Sequence, residues 1–233
     1  DFCAGVLTPS SYPTGTFTVA TIRFQTLAQT SPTTTVSFST SVDRPTFISG
    51  DIQGTQATGS LTSGVYTILS EVDIAVSVCL QGTNRPDSAW IIPLTVKFFT
   101  PGSNVLTATP LYTFTSTSGK VGGTAVIQCS DIQTGSYDIS AVSSHTLVNF
   151  KKNVAIDTAT TGVSLGTLLE GNSNNDGLIN ISDFGILSLA YGLLSTDINY
   201  DPLADFDGND VVNIADFSLL SGNYTRNSPI EIP

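Results

Sequence analysis

This chain has 233 residues, of which 40% are hydrophobic and only 12% are charged, and its formal net charge is −11. The composition argues against a disordered chain, which would combine low hydrophobicity with many charges. Eight Lys and Arg against nineteen Asp and Glu also argue against a phosphate-binding face for nucleic acids.

The acidic residues are concentrated in the C-terminal quarter. Residues 1–169 contain nine Asp and Glu and seven Lys and Arg, whereas residues 170–233 contain ten Asp and Glu and only one basic residue, Arg226. Such a charge run indicates a cation site, a solvated acidic tail, or both.

The first residue and the composition of the chain indicate where in or outside the cell the protein is found. The chain begins at Asp1 and contains no Met, so we expect a processed product or a fragment. No apolar run approaches the length of a membrane span. Three Cys, abundant Ser and Thr, and few Lys suit a secreted protein, so we predict an extracellular or cell-surface location.

Residues 1–169 are predicted to be β-strands throughout, because segments rich in Val, Ile, Thr, Phe and Tyr alternate with turns of Gly, Pro, Ser and Asn. Many short strands at regular spacing are typical of β-sandwiches, and Trp90 and Tyr137 are the predicted large core residues of the second one. The predicted strands are Thr16–Ala28, Thr33–Val42, Gly64–Leu69, Val72–Leu80, Ile91–Thr100, Leu106–Thr115, Thr124–Cys129, Ser136–Ser143 and Thr146–Ile156.

After Gly171 the pattern becomes helical. Phe184, Leu187 and 189–191 fit one face of a helix, and Phe217, 219–220 and Tyr224 fit one face of another. Each helix is predicted to begin immediately after an Asp and to follow a polar loop rich in Asn, Asp and Gly. The predicted fold class is therefore mainly β, with two sandwich regions followed by a small α-helical module.

The two polar loops are copies of one unit. The segment NSNNDGLINISD at 172–183 and the segment DFDGNDVVNIAD at 205–216 lie 33 residues apart, and each is followed by Phe-x-x-Leu. Both fit a twelve-residue calcium loop, which supplies oxygens from positions 1, 3, 5, 7, 9 and 12. The predicted ligands are Asn172, Asn174, Asp176, Leu178, Asn180 and Asp183 in loop one, and Asp205, Asp207, Asn209, Val211, Asn213 and Asp216 in loop two.

These two loops with their helices resemble a type I dockerin, the calcium-binding module that docks onto cohesin modules. The resemblance covers residues 171–224 and implies paired F-hand loops that hold two Ca²⁺. It also implies a cohesin-like partner, which can be part of the same or another chain. The partner-facing positions would be Ile181 and Ser182 in the first half, and Ile214 and Ala215 in the second.

The loops depart from that pattern at two positions. Asn172 replaces the usual first Asp, so loop one offers two carboxylates and loop two offers three. Asp210 occupies position 6, where the sharp turn of the loop normally uses Gly. Asp adopts the left-handed conformation less easily than Gly but more easily than most residues. The order of the two affinities stays open.

The regions before the module carry further resemblances. Residues 1–71, with GTFTVATIRFQTLA, TTTVSFST and GVYTIL, resemble the C-terminal half of a cohesin-like sandwich. Residues 72–170, with TGSYDISAVSSHTLVNFKKNV, are similar to a prealbumin-like sandwich of the carboxypeptidase-regulatory or Cna-B type. A half-sandwich leaves an unpaired edge. The tail at 225–233 could donate a strand to such an edge in a neighbouring chain, or be disordered.

The sequence offers little for catalysis. His145 is the only His, so a multi-His zinc site is absent and a structural role is predicted for it. Glu occurs only at positions 71, 170 and 231, and no phosphate loop or nucleophile elbow is present. We therefore expect a protein that is not an enzyme. Cys79 and Cys129 fall in one predicted sandwich and form a candidate disulfide.

The main functional hypothesis is an extracellular calcium-binding structural protein that assembles into a filament or surface layer, as a homo-polymer, through cohesin–dockerin-type contacts or strand donation. An alternative is a dockerin-bearing accessory subunit or fragment of a polysaccharide-degrading, cellulosome-like complex. A further alternative is the end of an enzyme whose catalytic domain lies upstream of Asp1. Two Ca²⁺ are the predicted cofactors in each case.

Overall fold

The structure is a computed structural model that describes residues 34–36, 64–66, 71–82 and 85–233. The chain divides into two compact units, Asp1–Leu69 and Ser70–Pro233. In the first unit, β1 (Thr34–Val36) pairs antiparallel with β2 (Gly64–Tyr66). The predicted cohesin-like half-sandwich of residues 1–71 otherwise falls outside the described residues.

Two β-sheets form a sandwich in the second unit. One sheet has the strand order β10–β3–β7–β6 and the other has the order β11–β9–β8–β4–β5. The strands are β3 (Glu71–Leu80), β4 (Pro93–Phe99), β5 (Tyr112–Thr117), β6 (Gly119–Val121), β7 (Thr124–Gln133), β8 (Gly135–Ser143), β9 (Asn149–Ile156), β10 (Gly162–Leu168) and β11 (Ile230–Glu231).

Alternating apolar residues explain this sandwich. Every second side chain of β3 is buried from Ile74 to Leu80, and β4 buries Leu94, Val96 and Phe98 in the same way. Period-2 alternation places these side chains on one face of each sheet, where they meet in a common core. The fold is thus mainly β, as predicted, with two α-helices among the described residues.

Aromatic side chains fill the centre of this core. The ring of Phe98 makes edge-to-face contacts with Tyr112, Phe114 and Tyr137, at centroid distances of 6.1, 5.9 and 5.7 Å. Tyr137 is buried as predicted, and its hydroxyl donates to the Gln133 carbonyl. Trp90 is only half-buried, because it lies in a short 3₁₀ turn (Asp87–Trp90) that packs against the core from outside the sheets.

The helices are α1 (Ile181–Ala190) and α2 (Ile214–Gly222). Each begins three residues earlier than predicted, because Asn180 and Asn213 are the N-caps. Asp183 and Asp216 occupy the third helical position and complete capping boxes. Ile179, Leu187, Phe206, Val212 and Leu220 form a second core with Leu147 of the sandwich.

The predicted disulfide between Cys79 and Cys129 is wrong, since both residues are free cysteines. In the pairing of β3 with β7, Cys129 lies opposite Ile74, five residues from Cys79 along the strand. Cys129 points into the core, whereas Cys79 is half-buried between the inward-facing Val78 and Leu80. The two sulfur atoms are therefore on opposite faces of the sheet and too far apart to bond.

The C-terminal tail pairs with its own chain. β11 runs parallel to β9, with Ile230 opposite Asn149. The amides of Ile230 and Ile232 donate to the carbonyls of Val148 and Phe150, both at 2.8 Å. The prediction of a disordered tail is therefore corrected, because the edge of β9 accepts the tail within one molecule. The half-sandwich edge predicted to receive a neighbour's tail belongs to residues 1–71, most of which lie outside the described residues, so strand donation stays a prediction.

No helix among the described residues has both the length and the apolar character needed to cross a lipid bilayer.

Candidate metal centre

Three buried carboxylates converge in loop two (Asp205–Asp216). Asp205, Asp207 and Asp216 each contribute an oxygen, and these oxygens lie within 4.8 Å of one another. All three residues are buried, with exposed fractions of 4% or less. These residues are positions 1, 3 and 12 of the predicted loop, so the spacing in the sequence correctly brings them together.

Backbone amides of the loop hold these carboxylates in place. The Asp205 carboxylate accepts from the amides of Gly208 and Asp210, at 2.9 and 2.8 Å, and from the Tyr200 hydroxyl at 2.7 Å. The Asp216 carboxylate accepts from the amides of Phe206 and Asn213, at 2.7 and 2.8 Å. Among the described residues, none of the three carboxylates forms a salt bridge with a cationic side chain.

The electrostatics of loop two favour a bound cation. Burial, together with the negative charges of Asp207 and Asp205, raises the pKa of Asp216 to about 6. Burial and the nearby Asp205 also raise the pKa of Asp207. Burial and the hydrogen bond to Asp205 raise the pKa of the Tyr200 hydroxyl. Buried charges without a partner cost several kcal/mol each, and a divalent cation held by the three carboxylates would offset part of that cost.

The remaining predicted ligands of loop two have other contacts as well. The Asn209 Oδ1 accepts from the Val211 amide at 2.9 Å. The Asn213 Nδ2 donates to the Val211 carbonyl at 3.1 Å, and the Asn213 Oδ1 accepts from the Ala215 amide at 2.7 Å. Asn213 is therefore a helix cap, and its role as a ligand remains a prediction. Position 9 of such loops often reaches the ion through a water.

Loop one (Asn172–Asp183) repeats this geometry with less charge. Asn172 and Asp183 are buried, and Asn174 and Asp176 are exposed. The Asp183 carboxylate accepts from the amides of Asn174 and Asn180, at 3.2 and 2.8 Å. Asp216 of loop two accepts from the equivalent amides of Asp207 and Asn213, at 3.3 and 2.8 Å. The Asn180 Nδ2 donates to the Leu178 carbonyl at 3.3 Å, as Asn213 does to Val211.

Backbone conformation also matches between the loops. Position 4 has a positive φ in both, +56° at Asn175 and +67° at Gly208. Position 6 does too, +83° at Gly177 and +67° at Asp210. The sharp turn predicted at position 6 is present, and Asp210 adopts the left-handed conformation that Asp tolerates.

The donor set of both loops fits calcium. It consists of carboxylate, amide and backbone oxygens on a tight turn, and Ca²⁺ takes 6–8 such oxygens in flexible geometry. No Cys or His belongs to either predicted ligand set, so the soft donors preferred by zinc sites are missing there.

The predicted partner-facing residues lie at the start of the two helices. Ile181 and Ile214 are exposed, at 66% and 63%. Ser182 is exposed and Ala215 is half-buried. Between these two helix starts, the rings of Phe184 and Phe217 meet edge to face at 6.0 Å, and each keeps 36% of its surface exposed. The structure therefore places an apolar patch across both halves of the repeat.

Sequence reasoning missed a buried polar network beside the loops. Arg85 donates to the Glu170 carboxylate at 2.7 Å, and His145 bonds the other oxygen of Glu170, also at 2.7 Å. The Asn223 side chain bonds Gln81 and the Glu170 carbonyl. Spacing could not reveal these contacts, because the partners lie 25 to 142 residues apart. His145 has the structural surroundings predicted for it.

Comparisons with known proteins give a likeness of fold. No protein-family model matches this sequence, and no curated protein is similar enough to count as a relative. A chain in the crystal structure of the Coh3ScaB–XDoc_M1ScaA complex is similar in fold, with 18% identity and a TM-score of 0.50 over 66% of this chain and 97% of that chain. That complex is an N-terminal interface mutant of a type II cohesin–X-dockerin complex from Acetivibrio cellulolyticus.

A second similar structure is a C-terminal interface mutant of the same type of complex from the same organism. It matches with 17% identity and a TM-score of 0.48 over 66% of this chain and 97% of that chain. The first match supports a β-sandwich of the kind found in cohesin–dockerin complexes.

Proposed function

We propose that this chain is an extracellular, calcium-binding assembly protein and not an enzyme. Residues 171–224 act as a dockerin-like module that holds two Ca²⁺ and docks onto a cohesin-like module of the same or another chain. In the main form of the proposal the partner is another copy, so the protein builds a homo-polymer, as a filament or surface layer.

The observation that carries this proposal is the cluster of three buried carboxylates in loop two. Acidic groups on a surface repel weakly and need no ion, but these are buried and unpaired by any described cation. Equivalent hydrogen bonds in loop one support the same role for both copies of the repeat.

The two loops would contribute differently. Asp205, Asp207 and Asp216 would hold one ion with three carboxylates, while Asp176 and Asp183 would hold the other with two. A bound Ca²⁺ would supply positive charge at the start of each helix, and the amides of the loop would keep the carboxylates aimed inward. The calcium module is then fully ordered only with its metal.

The apolar patch supports docking through this module. Large exposed Ile and Phe side chains are costly on a free surface and typical of interaction sites. Their arrangement in two equivalent halves places Ile181 and Ile214 at the same step of the repeat. Neither residue is charged, so we expect an apolar contact with the partner rather than an ionic one.

The fold comparison supports the same assignment. The first similar structure is matched over 97% of its length by a segment that makes up 66% of this chain. That share is close to the length of the unit Ser70–Pro233, which contains both the sandwich and the two loops. A single chain of a cohesin–X-dockerin complex thus has the dimensions of this unit.

Sedimentation velocity of the pure chain tests this function. We expect calcium-dependent assembly that EDTA reverses and that the paired changes Ile181→Asp and Ile214→Asp abolish. Val121→Asp is the matched control, because Val121 is 64% exposed on the sandwich and lies outside the patch. A chain that stays monomeric in calcium contradicts the homo-polymer.

The second candidate is an accessory subunit of a polysaccharide-degrading complex, and it is favoured by the cohesin–X-dockerin nature of the similar structure. In that case the pure chain is monomeric in calcium but binds an added cohesin module, and the same Ile181→Asp and Ile214→Asp changes abolish that binding. Failure of both assays would contradict docking through this surface.

A further inference from the structure

We propose that Arg85 of the sandwich is a positioning residue for the calcium site of loop two, so that the affinity of this loop for calcium depends on the sandwich. This inference rests on the proposed calcium function. The observation that points to it is the buried guanidinium of Arg85, which donates to the backbone carbonyl between two predicted calcium ligands.

Arg85 lies in the β3–β4 loop, whose described residues are Gln81, Gly82 and 85–92. Its side chain is only 2% exposed. Its Nε donates to the Gln81 carbonyl at 2.9 Å, and its Nη1 donates to the Ala89 carbonyl at 3.1 Å. These bonds tie the guanidinium to both ends of its own loop, so its orientation is fixed by the sandwich.

The remaining nitrogen of Arg85 faces loop two. Its Nη2 donates to the Phe206 carbonyl and to the Glu170 carboxylate. Phe206 stands between Asp205 and Asp207, and its amide donates to Asp216. Arg85 therefore binds the carbonyl of Phe206, and the same residue is adjacent to two predicted ligands and donates its amide to the third.

Backbone packing makes this contact close. A Cβ atom added at Gly82 would lie 2.9 Å from the Asp207 Cβ, and one added at Gly208 would lie 2.5 Å from the Ala89 Cβ. Both distances are shorter than Cβ atoms tolerate, so the two loops approach closely only because a glycine of one faces the first side-chain carbon of the other. Outer contacts of this kind orient metal ligands and set affinity.

Loop one provides an internal comparison. Its contacts to the sandwich are neutral: Asn172 donates to the Thr146 carbonyl at 3.2 Å, and the His145 amide donates to Asn175 at 3.2 Å. Among the described residues, no Lys or Arg side chain hydrogen-bonds to loop one. A change at Arg85 should thus act mainly on loop two, whereas Glu170 also reaches loop one, because it bonds His145, whose amide donates to Asn175.

Arg85 could affect calcium binding through its positive charge as well as through its hydrogen bond to Phe206, and the two effects must be distinguished. A guanidinium near the carboxylates would by itself weaken calcium binding, but Glu170 neutralises it at 2.7 Å, with both side chains buried. Removing Arg85 alone would leave Glu170 as an unpaired buried charge and risks unfolding. The double change Arg85→Met with Glu170→Gln removes the pair without changing the net charge.

Terbium luminescence reads loop two selectively. Tb³⁺ replaces Ca²⁺ at oxygen sites, and Tyr200 can sensitise it there because its hydroxyl bonds Asp205 at 2.7 Å. The part of the signal that is lost on Tyr200→Phe identifies loop two. Competition by Ca²⁺ then gives the affinity of loop two, and calorimetric titration of the same full chain gives the affinity of loop one.

We expect the double change to weaken calcium binding at loop two by about 10- to 100-fold, the usual effect of losing an outer contact of a metal site. Binding at loop one should change far less, because Glu170→Gln keeps a side-chain oxygen within reach of His145. Arg85→Lys should recover only part of the loss, because an ammonium cannot reproduce the guanidinium fork. Lys152→Gln is the matched control, since it removes a half-exposed cation of β9 that pairs with Glu231, outside both the β3–β4 loop and loop two.

A second pair of variants tests the backbone contact. Gly208→Ala should weaken calcium binding at loop two for two reasons. Gly208 has a positive φ, and the added methyl group would clash with Ala89. Ala89→Gly opens that space, so Gly208→Ala should cost less affinity in the Ala89→Gly background than in the wild type. An equal cost in both backgrounds would overturn the role of the contact.

The outcomes separate this inference from the proposed function. If the wild type binds no Tb³⁺ or Ca²⁺, the calcium function itself is wrong. If the wild type binds two ions and the folded double variant keeps the affinity of loop two, or loses affinity equally at both loops, Arg85 is not a positioning residue.

Discussion

Asp216 serves loop two in two ways. Its carboxylate accepts backbone amides that cap α2 and close the loop, and it is also a predicted calcium ligand. Its pKa is raised to about 6 by burial and by neighbouring carboxylates. The unfolded chain would have an Asp pKa of about 3.9. The folded, metal-free protein therefore prefers protonated Asp216 more strongly than the unfolded chain does.

The first prediction concerns pH. Since the folded pKa of Asp216 is raised, its contribution to stability is fully present below about pH 4 and is lost as pH rises through about 6. Asp207 acts in the same direction. The Tm of the metal-free protein should fall relative to an Asp216→Asn variant between these limits. Differential scanning calorimetry of chelator-treated protein measures this.

Calcium should reverse that dependence, because the ion binds the deprotonated carboxylates. Asp87→Asn is the control, because Asp87 is an exposed carboxylate that pairs with Lys120. This variant should show the same fall in Tm with pH as the wild type. A metal-free Tm that rises from pH 4 to pH 6 as steeply in the wild type as in Asp216→Asn would refute the raised pKa.

The second prediction concerns Asp210, which has a φ of +67° at the sharp turn of loop two. Asp210→Val should destabilise the calcium-bound protein by about 1–2 kcal/mol, because a β-branched residue is strained in this conformation. Asp210→Gly relieves that strain and should be tolerated. Urea denaturation in calcium compares the two variants, and equal stability of both would contradict the turn.

Spacing predicted which carboxylates of loop two lie together, but it did not predict the helix-capping roles. Positions 1, 3 and 12 of loop two meet because a short loop folds on itself, so local sequence decides their place. The sequence could not show that Asn180 and Asn213 cap the helices, since an Asn before an apolar run fits either role. Arg85 was missed because its contact with Phe206 spans 121 residues.

At the scale of elements, strands rich in β-branched and aromatic residues were predicted, and a strand interrupted by glycines was not. β3, β4, β7 and β8 lie within or close to their predicted ranges. β10 was missed because Gly162 and Gly166 interrupt its pattern, and its pairing with β3 shifts register between Ser164 and Thr167. The two residues of β11 are too few to carry a pattern.

The third prediction concerns the tail, which joins loop one to the sandwich. The Ile179 amide donates to the Arg226 carbonyl, and Thr225 donates to the Ile179 carbonyl. Further on, β11 covers the edge of β9. Deleting residues 226–233 should therefore speed amide exchange at Ile179 and along β9, and leave β4 protected. Hydrogen exchange with mass spectrometry measures both regions.

Glu231→Gln is the matched control for the deletion. It removes only the ion pair with Lys152, in which both side chains are more than half exposed. Such surface pairs contribute about 0–1 kcal/mol, so protection of Ile179 should be retained. Unchanged exchange after the deletion would mean that the tail does not stabilise loop one.

At the scale of the molecule, most of the net negative charge comes from the C-terminal part of the chain. Five of the ten acidic residues after position 169 are predicted calcium ligands: Asp176, Asp183, Asp205, Asp207 and Asp216. Apolar residues of the same loops, such as Ile179 and Phe206, belong to a core that includes Leu147 of the sandwich. Calcium binding should therefore stabilise the whole unit Ser70–Pro233, by about 2.7 kcal/mol for each site at a hundred times its dissociation constant.

Calorimetric titration of Ca²⁺ into the metal-free full chain tests the central claim most directly. The wild type should bind two ions, and the variant with Asp205→Asn and Asp216→Asn should bind one, because loop one keeps its own ligands. Absence of saturable binding in the wild type, or two ions retained by the variant, would contradict the calcium module.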